Sequence, residues 1–137
     1  MFYTGIRRSA DGILVHQSAE THNKLPVLDF MKNQANIMRD HLKQIGFDAI
    51  FAKMLDEAWQ KKKTITSGIS NQEIDSLYEK ARNAGAAGGK LLGAGGGGFI
   101  LLYCDEQYQQ KVRNALDLRE LDFKISRYGS RVVYFED

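Results

Sequence analysis

The fold turns on one stretch, Ala84-Gly85-Ala86-Ala87-Gly88-Gly89-Lys90-Leu91-Leu92-Gly93-Ala94-Gly95-Gly96-Gly97-Gly98-Phe99. Eight of the chain's 13 glycines fall between Gly85 and Gly98. Glycine costs backbone entropy in any folded segment, so this density means that the chain must turn sharply, take positive φ or approach something closely. The flanks set its context. Ser70-Asn71-Gln72-Glu73 spells a capping box, serine followed three residues later by glutamate. It predicts a helix with Ile74, Leu77, Tyr78 and Ala81 on one face, closed by Gly85. After the glycines, residues 99–104 are six apolar residues in a row, the mark of a strand buried on both faces. Residues 90–92 form the preceding apolar segment, so the glycine run connects two strands.

Outward from there, residues 1–4 predict a short strand ending at Gly5, and residues 9–17 a short helix. Val27, Met31, Ala35, Met38, Leu42 and Ile45 recur at three- and four-residue spacing, which predicts a helix over 27–45 with Pro26 at its entry and Gly46 at its end. Asp48 caps the next helix, striped by Phe51, Leu55, Ala58 and Trp59 and ending at Lys61-Lys62-Lys63. Lysines there suit the negative end of the macrodipole. Asp105 starts a helix to about Asp117. Leu121, Phe123 and Ile125 alternate with polar residues, a half-buried strand, and residues 131–136 form the last strand. Strands and helices do not alternate simply. The expected class is therefore α+β, a ferredoxin-like antiparallel sheet with helices on one face and extra helices inserted after the first strand.

Composition narrows the function. With 137 residues the chain is one domain able to bury a core. A net charge of +2 gives no footprint for nucleic acid or an anionic membrane, and three lysines without nearby aromatics add none. No apolar run approaches the roughly 18 residues of a membrane helix, and no signal peptide opens the sequence. The single cysteine, Cys104, reads as a small buried hydrophobe, and without a disulfide framework a cytoplasmic location is the default. His16, His22 and His41 lack metal-ligand spacing and read as surface residues; no metal site is expected. Trp59, Tyr78 and Tyr103 read as core or rim aromatics.

Two standard phosphate loops fail. The P-loop needs glycine, four residues, then Gly-Lys-Ser/Thr, but Ala84 and Leu91 occupy the outer positions. The dinucleotide pattern matches literally from Gly93 to Gly98, yet a strand follows it where a helix should begin. A basic Gly-aromatic-Gly strand motif for RNA is also missing around Phe99. Two explanations remain open for the loop. Consecutive N–H groups could form an anion-binding nest, or the glycines could let the loop lie flat against another backbone.

Lys90-Leu91-Leu92-Gly93-Ala94-Gly95-Gly96-Gly97-Gly98-Phe99 resembles the third signature motif of the GHMP kinases, the galactokinase, homoserine kinase, mevalonate kinase and phosphomevalonate kinase relatives. Leu92, where many members carry Thr or Ser, is similar to the branch that acts on D-glycero-D-manno-heptose 7-phosphate. Tyr3-Thr4-Gly5-Ile6-Arg7-Arg8-Ser9-Ala10 resembles that branch too, as do Trp59-x-Lys61-Lys62 and Ser67-x-Ile69-Ser70-Asn71.

The resemblance covers almost the whole chain and only the family's C-terminal half. It implies an ATP- and Mg2+-dependent sugar kinase, with residues 1–137 as a single C-terminal domain lacking the N-terminal nucleotide-binding domain. The start on a strand, Phe2-Tyr3-Thr4, suits a piece whose first domain is absent. No Ser-Ser phosphate loop is present and the catalytic residue is unassigned, so the chain alone is expected to be inactive and to hold no cofactor tightly. In the intact enzyme, Gly93, Ala94, Gly95, Gly96, Gly97 and Gly98 would face the interdomain cleft. Arg8 and Arg7 are candidates for the phosphate of a sugar phosphate, since guanidinium presents a fork matched to its oxygens. Thr4 is a candidate substrate hydrogen bond, and Lys90 points either to the cleft or to solvent. Expected partners are the chain's own N-terminal domain and the sugar phosphate, with dimerisation through the exposed interdomain face. The competing reading is a free-standing module that uses the glycine loop as an anion or docking site.

Overall fold

A computed structural model describes residues 1–125 and 132–134. The elements run β1 (Phe2–Tyr3), α1 (Ala10–Glu20), a single 3-10 turn (Thr21–Lys24), α2 (Leu25–Gln44), α3 (Ala49–Lys63), α4 (Gln72–Ala84), β2 (Ala86–Leu91), β3 (Phe99–Cys104) and α5 (Glu106–Leu116). The sheet is antiparallel with order β1-β3-β2. The expected α+β class with a small antiparallel sheet and inserted helices is what the chain adopts.

Local chemistry explains most boundaries. Asp48 caps α3 as expected, its carboxylate accepting from the Phe51 N–H at 2.8 Å. That bond is the main reason the Asp48 carboxyl sits below its usual range, and His41 contributes after it. At α4 the cap is Asn71, one residue later than the capping box predicts: its side chain accepts from the Ile74 N–H at 2.9 Å. Ser70 instead donates to Asp75 at 2.9 Å, and Lys63 reaches the same carboxylate oxygen at 3.0 Å. Asp75 thus ties the end of α3 to the start of α4. Gly85 closes α4 in the left-handed region at φ 117°.

Strand β2 starts four residues earlier than the apolar pattern indicates. Ala86, Ala87, Gly88 and Gly89 carry little β preference, but tertiary contact overrides it. A Cβ on Gly88 would run into the carbonyl of Ala52, so α3 lies on β2 with backbone nearly touching backbone. Trp59, Ile65, Ile69, Ile74, Tyr78, Leu91, Ile100, Val112 and Leu116 are buried around this junction. Tyr78 donates both to Asp56 at 2.5 Å and to the Gly89 carbonyl at 3.3 Å. Burial, and then the neighbouring Asp56 carboxylate, push its phenol well above the ordinary tyrosine range.

Four expectations need correction. Strand β3 is not buried on both faces: Ile100 alone is buried and the other five residues are half-buried. Residues 121–125 form no strand. Leu121 donates to the Met1 carbonyl at 2.8 Å and Glu120 bridges to Phe2, but the antiparallel register then runs past Met1. Leu121, Phe123 and Ile125 are left 43%, 50% and 65% exposed. Cys104 is half-buried rather than core. His41 is not a surface residue: its ring lies 2.7 Å from Asp48, while His16 and His22 are exposed. The expected last strand over 131–136 falls largely outside the described residues.

Gly88→Ala is expected to destabilise the fold by about 3 kcal/mol, because backbone rather than a flexible side chain must move; the urea midpoint measures it. Asp48 gives a pH test. Its folded pKa is depressed, so its contribution is present above about pH 4 and is lost as pH falls through the folded value. Asp48→Ala should therefore flatten the loss of urea resistance between pH 7 and pH 3, relative to the parent chain.

Candidate functional site

The loop after β2 is packed against backbone along part of its length and open along the rest. Gly96 is buried, and its N–H donates to the Ile69 carbonyl at 2.9 Å. The Gly98 N–H donates to the Ile6 carbonyl at 3.0 Å. A Cβ on Gly95 would lie 2.7 Å from both Cα and carbonyl oxygen of Ile69, and one on Gly97 would strike the Ile6 carbonyl. One on Gly96 would lie 2.6 Å from the Ile13 side chain and 3.0 Å from Cδ of Arg8. Gly93, Gly95, Gly96 and Gly98 all have φ between +74° and +120°, where an L side chain is strained.

The open side is a cleft of about 440 Å³ lined by Tyr3, Ile6, Arg7, Arg8, Ala10 and Leu92 together with Gly93, Ala94, Gly95, Gly97 and Gly98. Among the described residues, no carbonyl accepts from the N–H of Gly93, Ala94 or Gly97 at hydrogen-bond distance. Close approach to another backbone accounts for part of the loop, and the rest of the loop lines the cleft. Gly95, Gly96 and Gly97 buy close approach to the 65–69 turn and the Ile6 backbone, and the remaining N–H groups border the cleft.

Two arginines complete it. The Arg7 guanidinium reaches the Tyr3 hydroxyl at 3.3 Å, which raises its already high pKa. The Tyr3 ring in turn packs on Phe99 with centroids 5.3 Å apart. Arg8 lies across Gly96 and also borders a neighbouring cleft of about 480 Å³ with Ser9, His16, Ser67 and Gly68. Thr4 is not among the lining residues. It is buried, its hydroxyl donates to the Gly98 carbonyl at 2.9 Å, and its N–H reaches the same oxygen at 2.8 Å. Thr4 fastens β1 to the end of the loop.

Lys62 is a site residue that sequence reasoning reads only as a helix end. Its ammonium donates to the Gly93 carbonyl at 2.6 Å, pinning the entrance of the loop. Desolvation, and then the nearby Lys90, lower its pKa. Lys90 itself is half-buried beside it. The available signal was position: Lys62 lies at the end of α3, just before the turn of Ile65 and Ile69 that receives the glycines.

An anionic group fits this cleft: two guanidinium groups and several unpaired N–H groups border one space. A divalent cation is different. Among the described residues, no carboxylate lines the cleft and no cluster of three or more His, Cys, Asp or Glu is placed to hold a metal.

Residues 37–120 match the family model described as GHMP kinases C terminal. The chain belongs to the GHMP kinase family. This GHMP kinase C-terminal domain is 29% identical over 134 residues to a D-glycero-alpha-D-manno-heptose 7-phosphate kinase of Campylobacter jejuni, covering 94% of this chain and 39% of that protein. It is 28% identical over 121 residues to an L-fucokinase/L-fucose-1-P guanylyltransferase of Bacteroides fragilis, covering 85% of this chain and 12% of that one. Its backbone superposes on L. major mevalonate kinase, solved with R-mevalonate, with a TM-score of 0.71 at 19% identity, over 85% of this chain and 36% of the other. The GHMP domain thus spans well under half the length of these relatives.

Gly95→Ala and Gly93→Ala separate the two halves of the loop. Gly95→Ala meets the Ile69 backbone and should cost about 3 kcal/mol in urea unfolding, whereas Gly93→Ala meets only its own φ and should cost about 1 kcal/mol. Equal costs would mean that the loop is not seated on the 65–69 turn.

Proposed function

We propose that the chain forms one wall of the active site of an ATP-dependent sugar kinase whose substrate is a phosphorylated sugar, D-glycero-alpha-D-manno-heptose 7-phosphate. The observation that carries this reading is the convergence of Arg7, Arg8 and the open N–H groups of Gly93, Ala94 and Gly97 on one cleft. The likeness to a heptose 7-phosphate kinase over 94% of the chain supports the choice of sugar. Kinase chemistry is mainly positioning and stabilisation of negative charge. Arg8 and Arg7 would grip the phosphate already on the sugar, because planar guanidinium groups bind phosphate oxygens in pairs. Leu92 and Tyr3 would bound the sugar, and the glycine floor would let the transferring phosphate approach backbone N–H groups. ATP would supply the phosphoryl group. The catalytic base and the nucleotide loop would come from an N-terminal domain packed over this cleft. Mg2+ would be held by phosphate oxygens and by groups outside this cleft.

On this reading the protein works in the cytoplasm, and the chain by itself does not catalyse the transfer. Helix α1, whose first residue Ala10 lines the cleft, carries exposed Leu14 and Val15, which suit packing against that domain or a second copy.

Amide titration of the purified chain tests the reading. The heptose 7-phosphate should shift Gly93, Ala94 and Gly97 with about millimolar affinity, and unphosphorylated heptose should not. Arg8→Ala should weaken the effect about tenfold. ATP turnover by the chain alone that depends on the sugar phosphate would overturn the divided-site reading. Micromolar binding without turnover would instead favour a free-standing anion-binding module.

A further inference from the structure

Arg7 and Arg8 are adjacent in sequence, yet their guanidinium groups part. Arg7 is held by the Tyr3 hydroxyl on the glycine-loop side. Arg8 lays its stem over Gly96, with Cδ 3.0 Å from where a Cβ would stand. It then carries Nη1 to within 3.8 Å of the equivalent point at Gly68. The head of Arg8 therefore lies at the 65–69 turn, on the neighbouring cleft of about 480 Å³. Helix α1 and the residues leading into it form one wall of that cleft, and Ser67 and Gly68 form the other.

Helix geometry gives the cleft its shape. Ser9, Gly12 and His16 are spaced three and four residues apart, so they lie along one face of α1. Buried Ile13 seats the helix against Gly68 and Gly96. Gly12 stands between Ser9 and His16, and a Cβ there would meet nothing within 4 Å. Glycine weakens a helix relative to alanine, and no neighbour requires it here. What its missing side chain provides is room in the cleft.

The side chains supply the chemistry. Arg8, Ser9, His16 and Ser67 bring a guanidinium, an imidazole and two hydroxyls to one space, and among the described residues no carboxylate lines it. Neither Arg8 nor His16 is paired with a carboxylate among the described residues except as His41 is with Asp48, a different histidine. The Ser9 hydroxyl caps no helix N–H. A donor-rich space without acids suits a phosphate group, whose oxygens accept from several donors at once. Its volume admits a phosphate together with the small body that carries it.

We propose that this cleft is a second phosphate site, for inorganic phosphate or a small phosphate monoester, and that it shares Arg8 with the glycine-loop cleft. The second site stands on its own geometry, whereas the sharing rests on the proposed binding of a sugar phosphate at the glycine loop. Arg8 borders both clefts. A guanidinium drawn toward Ser67 and His16 is lost in part to the glycine loop, so phosphate in one cleft weakens binding in the other, and the coupling is reciprocal.

Inorganic phosphate is the probe, followed through the amide resonances of the purified chain at constant ionic strength. Gly12, Ser67 and Gly68 should shift with about millimolar affinity. Arg8→Ala and Gly12→Leu should each weaken that response about tenfold and His16→Gln about threefold, while Arg7→Ala leaves it unchanged. Gly12→Leu should keep a Tm at or above that of the parent chain, which separates a filled cleft from a broken fold. Phosphate at about ten times its dissociation constant should weaken heptose 7-phosphate at Gly93, Ala94 and Gly97 about fivefold in the parent and less than about twofold in Gly12→Leu. Equal shifts from chloride overturn the second site, as does silence at Ser67 and Gly68 while Gly93, Ala94 and Gly97 respond, which leaves the glycine cleft standing. Phosphate that moves Ser67 and Gly68 without changing the affinity for heptose 7-phosphate overturns the sharing of Arg8. Heptose 7-phosphate that moves both sets of amides with one affinity means a single molecule spanning both clefts, and overturns the second site as a separate one. Response at Ser67 and Gly68 to phosphate, with none at Gly93 to the sugar phosphate, sinks the reading of the glycine cleft and not the second site.

Discussion

The structure depends on backbone meeting backbone without side chains between. Gly88 lies against Ala52 of α3, Gly95 against Ile69, and Gly97 against Ile6. Each contact replaces a layer of side chains with direct peptide packing. Interiors are dense enough that a single added methyl cannot be absorbed without movement. The β2–β3 hairpin is therefore clamped between α3, the turn over residues 65–69 and the end of β1. The hydrogen bonds from Gly96 to Ile69 and from Gly98 to Ile6 fix its register in that clamp. The cleft exists because this clamp is rigid: its floor is the outer side of the same loop whose inner side is buried.

Helices were the most legible part of the sequence. The stripes of α3 and α4 and the cap at Asp48 are local signals, and local signals survive in the fold. The shift from Ser70 to Asn71 at the start of α4 shows where locality ends. Both residues can cap, and the choice falls to Asp75, which takes the Ser70 hydroxyl and the Lys63 ammonium together. Strand β2 was only half legible, since nothing in Ala-Ala-Gly-Gly advertises a strand. Its extent is set by α3, more than twenty residues earlier. The strand expected over 121–125 follows the right alternation, but alternation specifies a face, not a partner.

The site divides in the same way. The glycine motif and the two arginines are readable, because their chemistry lies in their residue types. That Arg7 and Arg8 line one cleft with the loop follows from Gly5, at φ 77°, turning the chain between β1 and α1. Thr4 and Lys62 were harder, since a hydroxyl and an ammonium bound to backbone carbonyls look like any other strand end or helix end. Both hold the loop at its two mouths, Lys62 at Gly93 and Thr4 at Gly98. The family match spans the loop within residues 37–120, and the fold likeness to a mevalonate kinase extends over 85% of the chain.

A floor made of glycine has a consequence for engineering. Ala94 apart, it offers ligands a surface with no side chains to exchange, so selectivity cannot be retuned at the glycines without losing the conformation. Every adjustable handle sits on the rim, at Tyr3, Ile6, Arg7, Arg8, Ala10 and Leu92. A library aimed at new ligands should vary these six positions and leave the loop untouched. The fold separates a part that must stay constant from a part that is free to drift.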